Sequence, residues 1–488
     1  HLPLSETYLT AGRIDYQPWL IFWGMPQLIE MLYTWAMALG GTEAAPVLGW
    51  GMGLLTLVGM ADWGARKISP RAGWVAVACL LGGFTLAIAL AWGYVDWATM
   101  FFGLAVLILL DEWRETGRRR ALLLAGLVAG FALGTKYTAG VLAVGGAMVI
   151  LIQAGRQGMG KTFRNLAFFS LPVVLAFLPW LLKNLWFTGN PFYPLVFPAG
   201  AMNETRLALY QSLPPFGDWR DAVLLPWRAT MLGREGGEAY GASIGPLLLG
   251  FGFLGLVGWR LEKVKPPLLL AGIMALTGLV IWAVAGRLTA LGIQSRLFMG
   301  FFPALALLAG AGFEMLERIQ IPNVRLGRVA GAVLLLVFGF NVLEVSTYSL
   351  KQASLPHLLG LVSTDDYLAT NLGMTALADK MLNELPEDSR VLMLWETRSL
   401  YCTPRCIPDE IVDRWLSDRA GYGTADAILV SWRAAGFTHL LVYQTGADFY
   451  RTSPNYHPDD WQTLDDLLAL LPVQTDLNQI YTLYSLTP

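Results

Sequence analysis

Apolar runs of fifteen to twenty-three residues recur along most of the chain, each closed by a short basic, Gly-containing or Pro-containing break. A helix needs roughly 20 apolar residues to cross the hydrocarbon core. Candidate runs fall at residues 43–64, 72–92, 97–111, 120–134, 138–154, 165–187, 242–260, 266–286, 297–315 and 329–348. The pattern therefore predicts about ten transmembrane helices, of which the third and fourth are short. Ahead of them, residues 1–42 are interrupted by Pro3, Pro18 and Pro26. That segment predicts an external loop with an amphipathic helix over Pro26-Gln-Leu-Ile-Glu-Met-Leu-Tyr33, suited to lie in the membrane interface.

The periodicity changes after about residue 349. A helical stretch from Asp366 to Leu385 leads through Pro386 into the strand-like Arg390-Val-Leu-Met-Leu-Trp395. A second helix, Ala425 to Ala435, leads through Gly436 into Thr438-His-Leu-Leu-Val-Tyr443, and a third, Asp459 to Leu471, precedes a strand near Gln479 to Leu486. Helices alternating with short apolar strands predict a small covered sheet. The expected fold class is a membrane all-α bundle followed by a C-terminal α/β domain, divided at 1–42, 43–348 and 349–488.

Composition agrees with the membrane assignment. Hydrophobic residues make up 55% of the chain and charged residues only 14%, against about 25% charged in an ordinary soluble domain. Nineteen Trp and 52 Gly fit interfacial belts and close helix packing. No polybasic tract is present, so nucleic acid is not an expected partner. Three Cys cannot form a disulfide framework.

The basic residues orient the helices. They cluster at Arg66, Lys67 and Arg71; Arg114 and Arg118 to Arg120; Arg156, Lys161 and Arg164; Arg260, Lys263 and Lys265; and Arg318, Arg325 and Arg328. These are alternate, short loops, which the positive-inside rule places in the cytoplasm. The opposite face then holds residues 1–42, the turns at Gly93–Asp96 and Gly134–Tyr137, the loops 188–241 and 287–296, and everything after about 349.

Several residues on that external face have unusual chemistry for their position. Asp96, in Trp92-Gly-Tyr-Val-Asp-Trp97, opens a membrane helix; it is a functional candidate or a helix cap. Lys136, in Gly134-Thr-Lys-Tyr137, either snorkels to the interface or binds an anion. Lys183 and Asn184 stand where a helix is normally still apolar, and Thr188-Gly-Asn-Pro-Phe-Tyr-Pro194, with Asn190 and Pro191, is turn chemistry that stiffens the exit. Arg296, in Gln294-Ser-Arg296, opposes both the positive-inside bias and the helix dipole, which calls for an anionic partner, phosphate or carboxylate. Among Glu6, Asp15 and Glu30, nothing singles out a catalytic carboxylate. In the C-terminal domain, Trp395-Glu-Thr-Arg398 stands out, and Cys402 and Cys406 are spaced for a local disulfide or remain thiols. Gly158-Met-Gly-Lys-Thr162 resembles half a phosphate loop but falls in a connector. No complete nucleotide-binding, HExxH or GxSxG motif occurs in a supporting context.

Taken in order and sidedness, His-Leu-Pro-Leu at 1–4, Tyr-Val-Asp at 94–96, Gly-Thr-Lys-Tyr at 134–137, Asn184 with Thr-Gly-Asn-Pro at 188–191, and Arg296 resemble the GT-C superfamily of polytopic glycosyltransferases. Protein O-mannosyltransferases and lipid A aminoarabinose transferases belong to that class. The resemblance covers about residues 1–348. It implies a multi-pass protein of the bacterial cell membrane that moves a sugar from an isoprenyl-phosphate donor to an extracytoplasmic glycan, lipid or protein acceptor. It further implies Asp96 as a second acid that helps bind acceptor or a divalent cation (Mg or Mn), with Lys136, Tyr137, Lys183 and Arg296 toward the donor phosphate. In relatives with such a His-Leu-Pro run the principal acid lies just before it, so a first helix and that carboxylate are expected upstream of His1. The alternatives are a lipid or solute transporter and a non-catalytic subunit with partners in a membrane complex.

Overall fold

The computed structural model describes residues 1–155, 158–234, 240–258 and 266–487; Arg156, Arg260, Lys263 and Lys265 lie outside the described residues. The chain forms two compact units. One comprises His1, Met25–Lys183 and Ser212–Thr347; the other comprises Leu2–Gly24, Asn184–Gln211 and the chain from Tyr348 onward.

The first unit is helical. Its main helices are α1 (Leu28–Gly40), α2 (Ala44–Lys67), α3 (Pro70–Leu80), α4 (Asp96–Thr116), α5 (Arg119–Leu133), α6 (Gly140–Ala154), α7 (Met159–Thr188), α8 (Pro246–Gly258), α9 (Pro266–Leu288), α10 (Phe302–Arg318) and α11 (Leu326–Lys351). Among the described residues, five helices are long and apolar enough to cross a membrane: α2, α7, α9, α11, and α10 extended back to Ser295. A sixth candidate is α3 joined to Phe84–Ala91 across a 95° bend. Among the described residues, the run expected over 242–260 gives α8 with 13 residues, or about 20 Å at 1.5 Å per residue against a core of about 30 Å, and the amphipathic segment expected over 26–33 is α1, also 13 residues.

Within this unit α10 is central and α11 peripheral, since 78% of the Ser295–Arg318 window is buried and only 11% of the Leu326–Lys351 window. Leu335, Leu336, Phe340 and Leu343 of α11 are exposed, as lipid-facing residues should be. Small residues allow α10 its neighbours: a Cβ on Gly312 would sit 2.1 Å from the Phe251 carbonyl oxygen of α8. At the bend after α3, Asn341 Nδ2 donates to the Leu81 carbonyl at 2.6 Å, while Thr85 and Ser243 exchange bonds through Ser243 N to Thr85 Oγ1 (2.7 Å) and Thr85 N to Ser243 O (3.3 Å). Backbone groups freed by a broken helix at membrane depth need such partners.

The second unit contains a five-stranded sheet built from β1 (Val391–Leu394), β2 (Cys406–Ile407), β3 (His439–Tyr443), β4 (Val473–Leu477) and β5 (Tyr481–Ser485), in the order β2-β1-β3-β5-β4. β1 pairs parallel with β2 and β3; β5 pairs antiparallel with β3 and β4. Leu392, Leu394, Leu440 and Val442 pack on one face with Trp415, Trp432 and Trp461. Val391, Met393, Leu441 and Leu483 pack on the other with Ala378 and Leu382. Because both faces are covered, β1 and β3 read as continuous apolar runs. The helical stretch expected over 366–385 is two helices, Thr364–Leu372 and Met374–Asn383, separated by Gly373 at φ +56°. The short β2 and the largely exposed β4 (Val473-Gln-Thr-Asp-Leu477) carry too little apolar pattern to be anticipated. Cys402 and Cys406 form a disulfide with Cα atoms 5.5 Å apart.

Two buried ionic features organise this unit. Arg206 Nη2 donates to Asp413 Oδ1 at 2.9 Å, with both side chains about as buried as core residues. Asp409 accepts from the backbone N–H groups of Trp395, Asp413 and Arg414, and burial, followed by the charge of Asp413, pushes its carboxyl up to about 6.

Candidate functional site

Three residues singled out from sequence come together in the first unit. Asp96 is the first residue of α4, directly after the cap residue Val95. Lys136 Nζ donates to Asp96 Oδ1 at 2.9 Å, and Arg296 Nε lies 3.8 Å from Oδ2. The Asp96 side chain is 3% exposed, Lys136 20% and Arg296 30%, so the carboxylate is the buried member and the cations face outward. An ionised group this buried persists only when paired.

Local structure explains the convergence. Lys136 follows the end of α5 at Gly134, where a Cβ would come within 2.7 Å of Trp180 Nε1. Thr138 Oγ1 donates to the Leu297 carbonyl at 2.6 Å, tying the Lys136 turn to the 3₁₀ segment Ser295–Phe301 that carries Arg296. That segment lies directly on α4: a Cβ on Gly103 would sit 1.9 Å from the Gly300 carbonyl oxygen. Tyr94 covers Arg296, with the guanidinium carbon 4.6 Å from the ring centroid. Tyr137 points elsewhere, edge-on to Phe177 at 5.9 Å, and its buried hydroxyl has no partner among the described residues. Ser295 Oγ, next to Arg296, is also buried without one.

A second carboxylate, passed over in the sequence, belongs to the same neighbourhood. Glu30 is 5% exposed, and one of its oxygens lies 2.5 Å from His1 Nδ1. α1 is bolted to both loops of the site: Leu28 N donates to the Gly134 carbonyl at 2.9 Å, and Tyr33 Oη donates to the Tyr94 carbonyl at 2.8 Å. Tyr33 lies within electrostatic reach of both Glu30 and Asp96. The His1 and Tyr94 rings meet edge-on at 6.0 Å. Lys183 does not join Asp96; its ammonium is 5.9 Å from the Trp180 ring and within electrostatic reach of Glu30. One signal was available: Glu30 is the sole ionisable acid between Asp15 and Glu43, inside an apolar helix.

Asn184 and Asn190 act as braces in the second unit. Asn184 Nδ2 donates to the carbonyls of Gly24 (2.7 Å), Tyr193 (3.1 Å) and Pro191 (3.3 Å). Asn190 Nδ2 donates to Leu195 and Phe197 carbonyls while its Oδ1 accepts from Phe192 N. The Thr-Gly-Asn-Pro turn is thus shaped by side-chain amides.

Among the described residues no group of three or more His, Cys, Asp or Glu side chains converges as ligands would. Both Asp96 oxygens face cations already.

Over residues 48–201 the chain matches a family described as a domain of unknown function (DUF8201). No curated protein matches it in sequence. Solved structures do match it in fold. ArnT from Cupriavidus metallidurans bound to undecaprenyl phosphate aligns over 100% of this chain and 92% of its own, at a TM-score of 0.57 and 14% identity. The same protein in the apo state gives 0.58 and 14% over the same spans. The oligosaccharyltransferase of Archaeoglobus fulgidus, in complex with Zn and sulfate, gives a TM-score of 0.55 at 11% identity over 92% of this chain and 64% of that one. The chain shares its fold with these two proteins. At such identities the likeness concerns architecture and leaves the chemistry to the side chains.

Proposed function

We propose that this chain is a membrane glycosyltransferase that moves a sugar from an isoprenyl-phosphate carrier to an acceptor on the extracytoplasmic side. The observation that carries the reading is the pairing of Lys136 and Arg296 on the buried Asp96, in a fold shared with a protein crystallised with undecaprenyl phosphate. The carboxylate holds two partly exposed cations in one place, and their outward sides suit a phosphate. The Ser295 hydroxyl beside Arg296 is buried without a partner among the described residues; burying such a group unpaired costs about 1–3 kcal/mol, and active sites are where that cost is tolerated.

The chemistry follows from the charge. As the bond between the anomeric carbon and the phosphate oxygen breaks, its electron pair moves onto the phosphate. Cations fixed beforehand stabilise that charge without reorganising. Arg296 is suited to a planar, two-point contact with phosphate oxygens and Lys136 to a point contact. Residues 349–488, read as extracytoplasmic from the basic-loop pattern, would meet the acceptor there. The test is transfer of labelled sugar from undecaprenyl-phosphate hexoses and pentoses by the full-length protein in proteoliposomes. Absence of transfer from every donor, together with no binding of undecaprenyl phosphate, would refute it.

A further inference from the structure

Between α7 and α8 the chain forms a helix pair whose apolar side faces outward. Asp218 opens the first helix, Trp219–Val223, through a capping box. Its Oδ1 accepts from Arg220 N (2.7 Å) and Asp221 N (3.0 Å), and Asp221 Oδ2 accepts from Asp218 N (2.7 Å). The second helix, Leu225–Leu232, follows at once with Pro226 in its first turn. Leu224 N donates to the Arg220 carbonyl and Arg228 N to the Leu224 carbonyl, both at 2.8 Å, so helical spacing carries across the joint. Residues four apart therefore share one side. Leu225 and Ala229 are buried against the protein. Trp219, Val223, Leu224, Trp227, Met231 and Leu232 are 49–78% exposed. A helix that meets water on its outer side carries polar residues there; this pair carries two indoles and four aliphatic or thioether side chains.

The pair is fixed at one end of a membrane helix. Arg287, in the last turn of α9, donates through Nη1 to the Phe216 carbonyl at 3.0 Å and to the Gly217 carbonyl. Phe216 N donates to the Gly286 carbonyl at 2.9 Å, and Ala290 N to the Pro214 carbonyl at 2.8 Å. The Arg287 guanidinium carbon lies 5.5 Å from the Trp219 ring centroid. Since α9 is long and apolar enough to cross a membrane, its Arg287 end marks a membrane boundary, and these bonds hold Trp219 at that depth.

We infer that this face is a membrane-docking surface, on which Trp219–Leu232 lies in the plane of the interface with its exposed apolar side chains in the boundary between headgroups and acyl chains. Two observations favour lipid over a second copy or a soluble partner. Leu276, Val280, Val284 and Leu288, spaced by four along α9, are exposed, and this lipid-facing row runs up to the residue after Arg287, on which Trp219 is seated. The composition is that of an interfacial helix: Trp and Leu on the outer side, with the exposed Arg220 beside them for headgroup phosphates. The inference concerns how the chain is seated in the membrane and holds whether or not it transfers a sugar.

The experiment uses the full-length protein in proteoliposomes of phosphatidylethanolamine and phosphatidylglycerol. A nitroxide is attached at Val223→Cys or Met231→Cys; Cys79 is buried and Cys402 and Cys406 are bonded to each other, so the introduced thiol takes the label. Both labels are expected to collide more with oxygen and less with a water-soluble nickel chelate than the same nitroxide free in buffer. A buffer-like ratio at both sites overturns the inference by placing the face in water. Shielding from both reagents overturns it too, by showing that protein covers the face. A label-free measurement decides the matter if the Cys variants fail to insert. The emission that Trp219→Phe/Trp227→Phe lacks relative to the wild type should be quenched by lipids brominated at the headgroup end of their chains. Absence of that quenching refutes membrane docking.

Discussion

Replacement of Lys136 by Met tests whether this cation serves the donor or merely neutralises Asp96. The Lys136–Asp96 contact is 2.9 Å, and Asp96 is 3% exposed. At an effective dielectric of about 20, the attraction is on the order of 6 kcal/mol before desolvation is subtracted. Arg296, at 3.8 Å, stays behind and offsets part of the loss. Removing one member of a buried pair typically costs about 3–5 kcal/mol, so Lys136→Met should lower thermal stability. Losing a preorganised donor to a developing anion should also cost about 10²–10³ in kcat. The deciding measurement is the double variant Asp96→Asn/Lys136→Met, which leaves no unpaired charge at that spot. Its stability should recover most of the single variant's deficit. If Lys136 contacts the departing phosphate, its turnover stays down by about 100-fold or more. Recovery of turnover in the double variant would reduce Lys136 to a counter-ion. Turnover of Lys136→Met within about threefold of wild type would refute the anion-stabilisation argument outright.

Gly103→Ala should slow transfer although it lies two turns along α4 from Asp96, because the new Cβ would meet the Gly300 carbonyl at 1.9 Å and displace the Arg296 segment; a stability cost of about 1–3 kcal/mol is expected, read by thermal unfolding beside kcat. Arg206→Ala should destabilise the second unit by about 3–5 kcal/mol, since it strips Asp413 of a 2.9 Å buried partner; Arg206→Ala/Asp413→Asn should recover much of that in the same unfolding assay. Asp379→Asn should change how stability depends on pH. Burial, then the charge of Glu396, raises the Asp379 carboxyl from 3.8 to about 6, so the folded state holds its proton more tightly than the unfolded state. That contribution is present in full below about pH 4 and is lost as pH rises through about 6, an effect of up to about 3 kcal/mol at roughly 1.4 kcal/mol per unit. The Asn variant should therefore gain stability at pH 8 relative to wild type and gain little at pH 4, measured by Trp fluorescence of the full chain in detergent; an equal shift at both pH values would contradict the burial argument.

The membrane helices and the strands β1 and β3 were legible because burial on all sides writes long or continuous apolar runs. Span number was less so. A run of apolar residues marks burial whether the surroundings are lipid or protein, and a short helix such as α5, with 15 residues, does not distinguish the two by length alone. Asp96, Lys136 and Arg296 could be singled out because charge at a helix end conflicts with its surroundings, and the conflict is resolved by their mutual pairing. Lys183 shares that local signature yet lies with Trp180, and Tyr137, next to Lys136, lies with Phe177, since sidedness and depth do not specify azimuth around a helix. Glu30 shows the reverse. Its sequence context is an interfacial amphipathic helix, in which one acid on the polar face is unremarked. Only the bonds from Leu28 to Gly134 and from Tyr33 to Tyr94 turn that helix so that its one carboxylate points at His1 rather than at water. A buried acid must be held by partners worth its desolvation, and His1 Nδ1 at 2.5 Å is one of them. The helix that carries it is bonded to both loops that bear Lys136 and Asp96, so its place follows from tertiary contacts and not from its neighbours in sequence.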